Sequence, residues 1–161
     1  MSKVPGRLGV KLRRAFFKKY FKHFGSHVTI AEDVTIEVPE NISIGDNSGF
    51  NAGCWISGGG GLTIGHNVIV GPHTVIHTQN HEYDDVTKPI CEQGHTSKPV
   101  TIEDDVWIGA RAVITPGSKI GRGCVIAAGA VVAGYITPHS VAAGVPAKVI
   151  KKRGTDPESK L

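Results

Sequence analysis

An apolar residue returns at every sixth position along most of this chain, and few folds accept that interval. In the second half it falls without a slip at Ile102, Ile108, Ile114, Ile120, Ile126 and Val132. In the first half it falls at Ile30 and Ile36, then at Ile44, Phe50 and Ile56, then at Ile64, Val70 and Ile76. Two residues before each sits a second residue, small or aliphatic, as at Val28, Ser48, Cys54, Thr74, Ala112, Ser118 and Cys124. An amphipathic helix would want apolar residues at i, i+3, i+4 and i+7. A period of six marks a parallel β-helix built from hexapeptides, three of which close a triangular coil of about eighteen residues. Side chains alternate along a strand, so the repeat residue and the one two before it both point into the prism. About five coils fit the chain on this count. Glycine follows the inward residue at Gly45, Gly65, Gly71, Gly109 and Gly121, which reads as a corner needing positive φ.

A length of 161 residues suits one domain. The net charge of +4 is uneven, gathered in residues 1–23 and in Lys148, Lys151, Lys152 and Arg153. Such clusters suit an anionic membrane or a phosphorylated cofactor. Nucleic acid fits poorly, because no aromatic-basic interleaving runs along the repeats. No apolar stretch is long enough to span a bilayer. Arg13, Arg14, Lys18 and Lys19 interrupt anything resembling a signal peptide, so a cytoplasmic location is expected. Cys54 and Cys124 occupy inward positions as small core fillers. Cys91 stands apart in a loop, and the three cysteines have neither disulfide nor zinc spacing.

The beat breaks three times. Residues 3–24 lie outside it: Leu8, Leu12, Ala15, Phe16, Tyr20 and Phe24 recur at helical spacing among lysines and arginines. The segment reads either as a cap on the open end of the prism or as a basic helix on a membrane surface. Four glycines, Gly58 to Gly61, lengthen one repeat, which suits a bulging corner or a backbone close to a ligand. The longest break separates Ile76 from Ile102, so residues 77–99 leave the coil as a loop that carries His77, His81, Glu82, Asp84 and Asp85. Long loops in a compact repeat are usually functional. The resulting division is a helical cap over residues 1–26, a β-helix over 27–150 with its excursion, and a basic, then disordered, tail over 151–161.

These segments carry a resemblance. The Phe50-Asn51 pair, His81 at the start of the excursion, Val106-Trp107-Ile108-Gly109-Ala110, Val125-Ile126-Ala127-Ala128-Gly129 and Ala143-Gly144-Val145-Pro146-Ala147-Lys148 resemble the hexapeptide-repeat acyltransferases. These are left-handed parallel β-helices, and the likeness is greatest to the maltose- and galactoside-type sugar O-acetyltransferases. The resemblance covers roughly residues 27–153. It implies acetyl-CoA as co-substrate, no required metal, a saccharide acceptor, and homotrimers with sites between subunits. It implies His81 as general base and Asn51 as a positioning residue. It implies a cofactor wall of Trp107 (also lining the acceptor cleft), Gly109, Ala110, Ala127, Ala128, Pro146, Lys148 and Lys151. Two departures stand out. Some relatives place a Thr-Lys pair where this chain has Ala133-Gly134, and the acidic residues that hold a galactoside give way to the glycine corner.

Acetyl transfer to an alcohol needs a base of near-neutral pKa and donors for the oxyanion. His81 suits the first task, with Glu82 or a loop carbonyl available to fix its tautomer. Two other readings stay open. One is a zinc enzyme like the γ-class carbonic anhydrases, using His66, His73 and His77. The other is a non-catalytic hexapeptide-repeat scaffold.

Overall fold

The computed structural model describes residues 3, 4 and 6–154. The chain winds as a left-handed parallel solenoid of about six turns, one more than the spacing count gives. Its first wall stacks His23–Phe24, Ile42–Ile44, Leu62–Ile64, Val100–Ile102, Lys119–Ile120 and Tyr135–Ile136. The second stacks Thr29–Ile30, Gly49–Phe50, Ile69–Val70, Trp107–Ile108, Val125–Ile126 and Ser140–Ala143. The third stacks Thr35–Glu37, Trp55–Ser57, Val75–Ile76, Val113–Ile114 and Val131–Val132.

The hexapeptide register is obeyed throughout. Ile44, Ile64, Ile102 and Ile120 align in one column, and Phe50, Val70, Ile108 and Ile126 in another. Nearly all the repeat residues, and all those two places before them, are buried; Ile36 is partly exposed. Polar members of the second set solve their burial locally, because each lies beside a corner carbonyl. Ser48 Oγ donates to Gly65 O at 2.7 Å, Thr74 Oγ1 to Gly109 O at 3.1 Å and Ser118 Oγ to Val132 O at 3.0 Å. The Cys54 and Cys124 thiols make the same contact with Gly71 O and Thr137 O. A buried hydroxyl without such a partner would cost about 1–3 kcal/mol.

The corner glycines have a different reason from the expected one. Gly45, Gly65, Gly71, Gly109 and Gly121 are not in the left-handed region; that conformation falls two residues later, at Asn47, Asn67, His73, Arg111 and Gly123. Asparagine, histidine and glycine tolerate it best. The earlier glycines are required by closeness between coils: a Cβ at Gly71 would lie 2.7 Å from Ala110 N. The 58–61 corner likewise fits against its own chain. Cβ atoms at Gly59 and Gly60 would strike Gln79 and the Thr78 carbonyl, at the root of the excursion.

Helix α1, Gly6–Phe17, packs on Thr29–Ile30 at the start of the solenoid. It is shorter than the sequence spacing suggests, because His23–Phe24 already form a strand paired with Ile42–Ile44. At the other end Lys148–Lys152 folds back antiparallel on Ser140–Ala143, so Lys151 and Lys152 belong to the solenoid and not to a tail. Lys152 Nζ donates to Thr137 Oγ1, Pro138 O and Ser140 Oγ there. The expected disordered tail beyond Gly154 lies outside the described residues. Among the described residues no helix is long and apolar enough to cross a membrane.

Candidate active site

The excursion leaves after Val75–Ile76 and the coil resumes in register, with Val100 opposite Leu62. Its ends are tied by Lys98 N to Thr78 O at 2.9 Å and Val100 N to Gly61 O at 3.0 Å. Between them Gln79–His81 and His95–Ser97 form an antiparallel hairpin stem that projects from the prism. His81 and His95 stand opposite each other, ring centroids 4.2 Å apart. Glu82, a candidate to orient His81, instead accepts from Thr96 Oγ1 at 3.0 Å. Farther out, the Asp85 carboxyl is held below the usual carboxylate range by the Thr87 hydroxyl and N–H, and by Lys88.

His81 borders two hollows. One, of about 500 Å³, lies between the stem and the third wall and is lined by Glu37, Ser57, His77, His95 and Thr115 among others. The other, of about 600 Å³, runs under the loop past Asp84, Asp85 and Glu92. Trp55 stands outward on the third wall and meets the His77 ring at 5.6 Å.

Asn51 is elsewhere. It leaves the second wall after Phe50, donates through Nδ2 to Val70 O at 2.9 Å, and borders a separate small hollow with Thr29 and Ile69. Within one protomer, therefore, the two expected catalytic residues do not meet.

The expected cofactor residues do come together along the second wall. Trp107 is exposed and paired in register with Val125; Val125 pairs with Val141, and Val141 with Lys151. One row thus runs from the indole to a lysine over three strand spacings, about 14 Å at ~4.8 Å each. At the adjoining corner Gly109 N donates to Ile126 O and Ala127 N to Ala142 O, while Ala143 faces Lys148. Ala110 and Ala128 extend this small-residue edge: Ala110 O accepts from Gly129 N, and the Ala128 backbone would strike a Cβ on Gly109. Pro146 is exposed in the turn before Lys148.

The three histidines of the zinc reading have other settings within one chain. Among the described residues no three His, Cys, Asp or Glu are grouped to hold a metal. His66 Nδ1 accepts from Asp46 N at 3.0 Å, His73 occupies a left-handed corner, and His77 lies against Trp55. Nothing in the sequence singles out His95 and Glu37. Three-residue polar strands carry no period, and Glu37 follows an inward isoleucine like any outward residue.

Known proteins agree with this architecture. Residues 99–134 match the bacterial transferase hexapeptide model of six repeats. The Escherichia coli galactoside O-acetyltransferase is 35% identical over 144 residues, 89% of this chain and 70% of that protein. A probable acetyltransferase of Mycobacterium tuberculosis is 44% identical over 92 residues, and the match spans only 31% of its length. The hexapeptide-repeat acetyltransferase of Vibrio cholerae, solved with acetyl-CoA, superposes with a TM-score of 0.81 at 33% identity, covering 88% of this chain and 76% of that one. A solenoid shared over nearly the whole chain, at an identity of one residue in three with an O-acetyltransferase, places this protein in the hexapeptide-repeat acyltransferase family.

Proposed function

We propose that this protein transfers an acetyl group from acetyl-CoA directly to a saccharide hydroxyl, with His81 as general base. The observation that carries this reading is the position of His81 on the rim of the hollow between the hairpin stem and the prism. The acetyl-CoA complex of the Vibrio relative and the galactoside activity of the Escherichia coli relative support donor and acceptor class.

In this reading an imidazole nitrogen of His81 removes the acceptor hydroxyl proton as the oxygen attacks the thioester carbonyl. The tetrahedral intermediate collapses, the C–S bond breaks, and the imidazolium returns its proton to the departing CoA thiolate. Asn51 is supplied from a neighbouring subunit, because it borders a different hollow from His81 in its own chain. That requirement makes the homotrimer part of the proposal. The Trp107–Lys151 row takes the pantetheine arm, and Lys148 and Lys151 the phosphates. No acidic residue occupies the 58–61 corner, so acceptor hydroxyls are held from Glu37 and the stem.

The test is an acceptor screen with labelled acetyl-CoA over free, nucleotide-linked and lipid-linked sugars. Label transferred to a saccharide, with one CoA thiol released per transfer, supports the reading. CoA binding with no transfer to any saccharide, or an active monomer by light scattering, contradicts it.

A further inference from the structure

Helix α1 is mounted with its polarity reversed. The residues turned to the prism are Gly9 and Arg13, with Phe17 partly buried beside them. Arg13 is only 2% exposed; its Nε donates to Ile30 O and its Nη1 to Val4 O, both at 2.8 Å. The apolar row Leu8, Leu12 and Phe16, successive at four-residue steps, points away from the protein at 63%, 42% and 42% exposure. Tyr20, packed on Phe16 at 4.9 Å, extends the row past the helix end. Exposed Arg7, Lys11 and Lys18 flank it, with Lys19 and Lys22 beyond, and the first acidic residue of the chain is Glu32.

A helix that only capped the solenoid would turn its leucines inward and its arginine outward. The docked side is instead closed by arginine hydrogen bonds and by the Phe17–Phe21–Phe24 contacts that lead into the core. The leucines remain for another partner.

We propose that the outer face of α1 docks on an anionic lipid bilayer, lying in the interfacial plane. Leu8, Leu12 and Phe16 enter the headgroup–acyl boundary while Arg7, Lys11 and Lys18 meet lipid phosphates. The pattern of an apolar stripe edged by cations and free of acids is the one such helices need. The same charges argue against this face meeting its own copy, which would set cations against cations; a contact with a different face of a trimer neighbour is separated by the lipid-free mass below. The inference does not rest on the proposed reaction: a helix that holds a bilayer does so whether or not His81 is a base.

Vesicle sedimentation tests it with the full chain, using phosphatidylcholine alone and phosphatidylcholine mixed with phosphatidylglycerol. Wild type is expected in the pellet only with the anionic lipid, and salt is expected to release it. The Leu8→Ser/Leu12→Ser/Phe16→Ser variant is expected to stay folded by circular dichroism, since Arg13 and Phe17 dock the helix, and to lose binding about tenfold or more. The Arg7→Gln/Lys11→Gln/Lys18→Gln variant is expected to bind anionic vesicles more weakly, with its remaining binding insensitive to salt. Three results overturn the proposal: wild type left in the supernatant with anionic vesicles at low salt, pelleting of the serine variant equal to wild type, or a smaller lipid-free mass for the serine variant, which would assign the face to self-association.

Discussion

The imidazole of His95 stands directly across the antiparallel ladder from His81, centroids 4.2 Å apart and planes inclined by 42°. This contact sets the ring of the proposed base at the outer end of the stem, on the rim of both hollows. His81→Ala is expected to preserve the fold and acetyl-CoA binding while lowering kcat by about 10²–10⁴-fold, the usual worth of a positioned base. His95→Ala is expected to lower kcat by about tenfold through misplacement, and His95→Phe, which keeps a ring there, to recover most of it. Cys91, exposed in the same loop, is the control: Cys91→Ala leaves turnover unchanged. Steady-state kinetics with acetyl-CoA decides; near-normal turnover in His81→Ala removes this histidine from the chemistry.

The Trp107–Lys151 row predicts a salt-dependent grip on the cofactor. Lys148→Ala/Lys151→Ala should weaken CoA binding, with the difference from wild type largest at low ionic strength because exposed charges are screened. Titration calorimetry with CoA and with dephospho-CoA measures it. Equal affinity of both proteins for both ligands would mean that these lysines do not meet the phosphates.

Closeness between coils, not backbone conformation, explains Gly71. Gly71→Ala should cost about 1–3 kcal/mol by forcing the coil carrying Ala110 away. Deeper in the prism, Ile126→Val should cost about 0.5–1.5 kcal/mol, and Ile126→Asp should prevent folding, since a charge there has no partner. Chemical denaturation separates the three; a folded Ile126→Asp protein would contradict the inward assignment.

Burial pushes the Cys54 and Cys124 thiols up, in each case against weaker opposing hydrogen bonds. Both therefore stay protonated in the folded chain at pH values where the unfolded chain has begun to ionise them. Their contribution to stability is intact below about pH 8.5 and declines as the pH climbs beyond it. Iodoacetamide near neutral pH should label Cys91 alone in the native protein and all three thiols after unfolding. A second thiol labelled before unfolding would show that the prism opens there.

The period of six determined the solenoid, its inward columns and the existence of the excursion, because each follows from local alternation along a strand. His81 was legible as a titratable group in a segment that folding did not need. The order Trp107, Val125, Val141, Lys151 was less so: it depends on the last strand reversing onto the one before it, which no interval in the sequence announces. The meeting of His81 with His95 depends likewise on a three-residue stem whose polar strands have no hydrophobic period. The separation of Asn51, at the edge of the second wall, from His81, on the stem that leaves the third, came from the winding, which assigns consecutive hexapeptides to different faces. Helix α1 shows the limit most directly. The sequence fixes an amphipathic pattern, but an apolar stripe is equally compatible with facing in or out. That choice was made by Arg13, whose hydrogen bonds to Ile30 O and Val4 O occupy the end of the prism and leave the leucines outside.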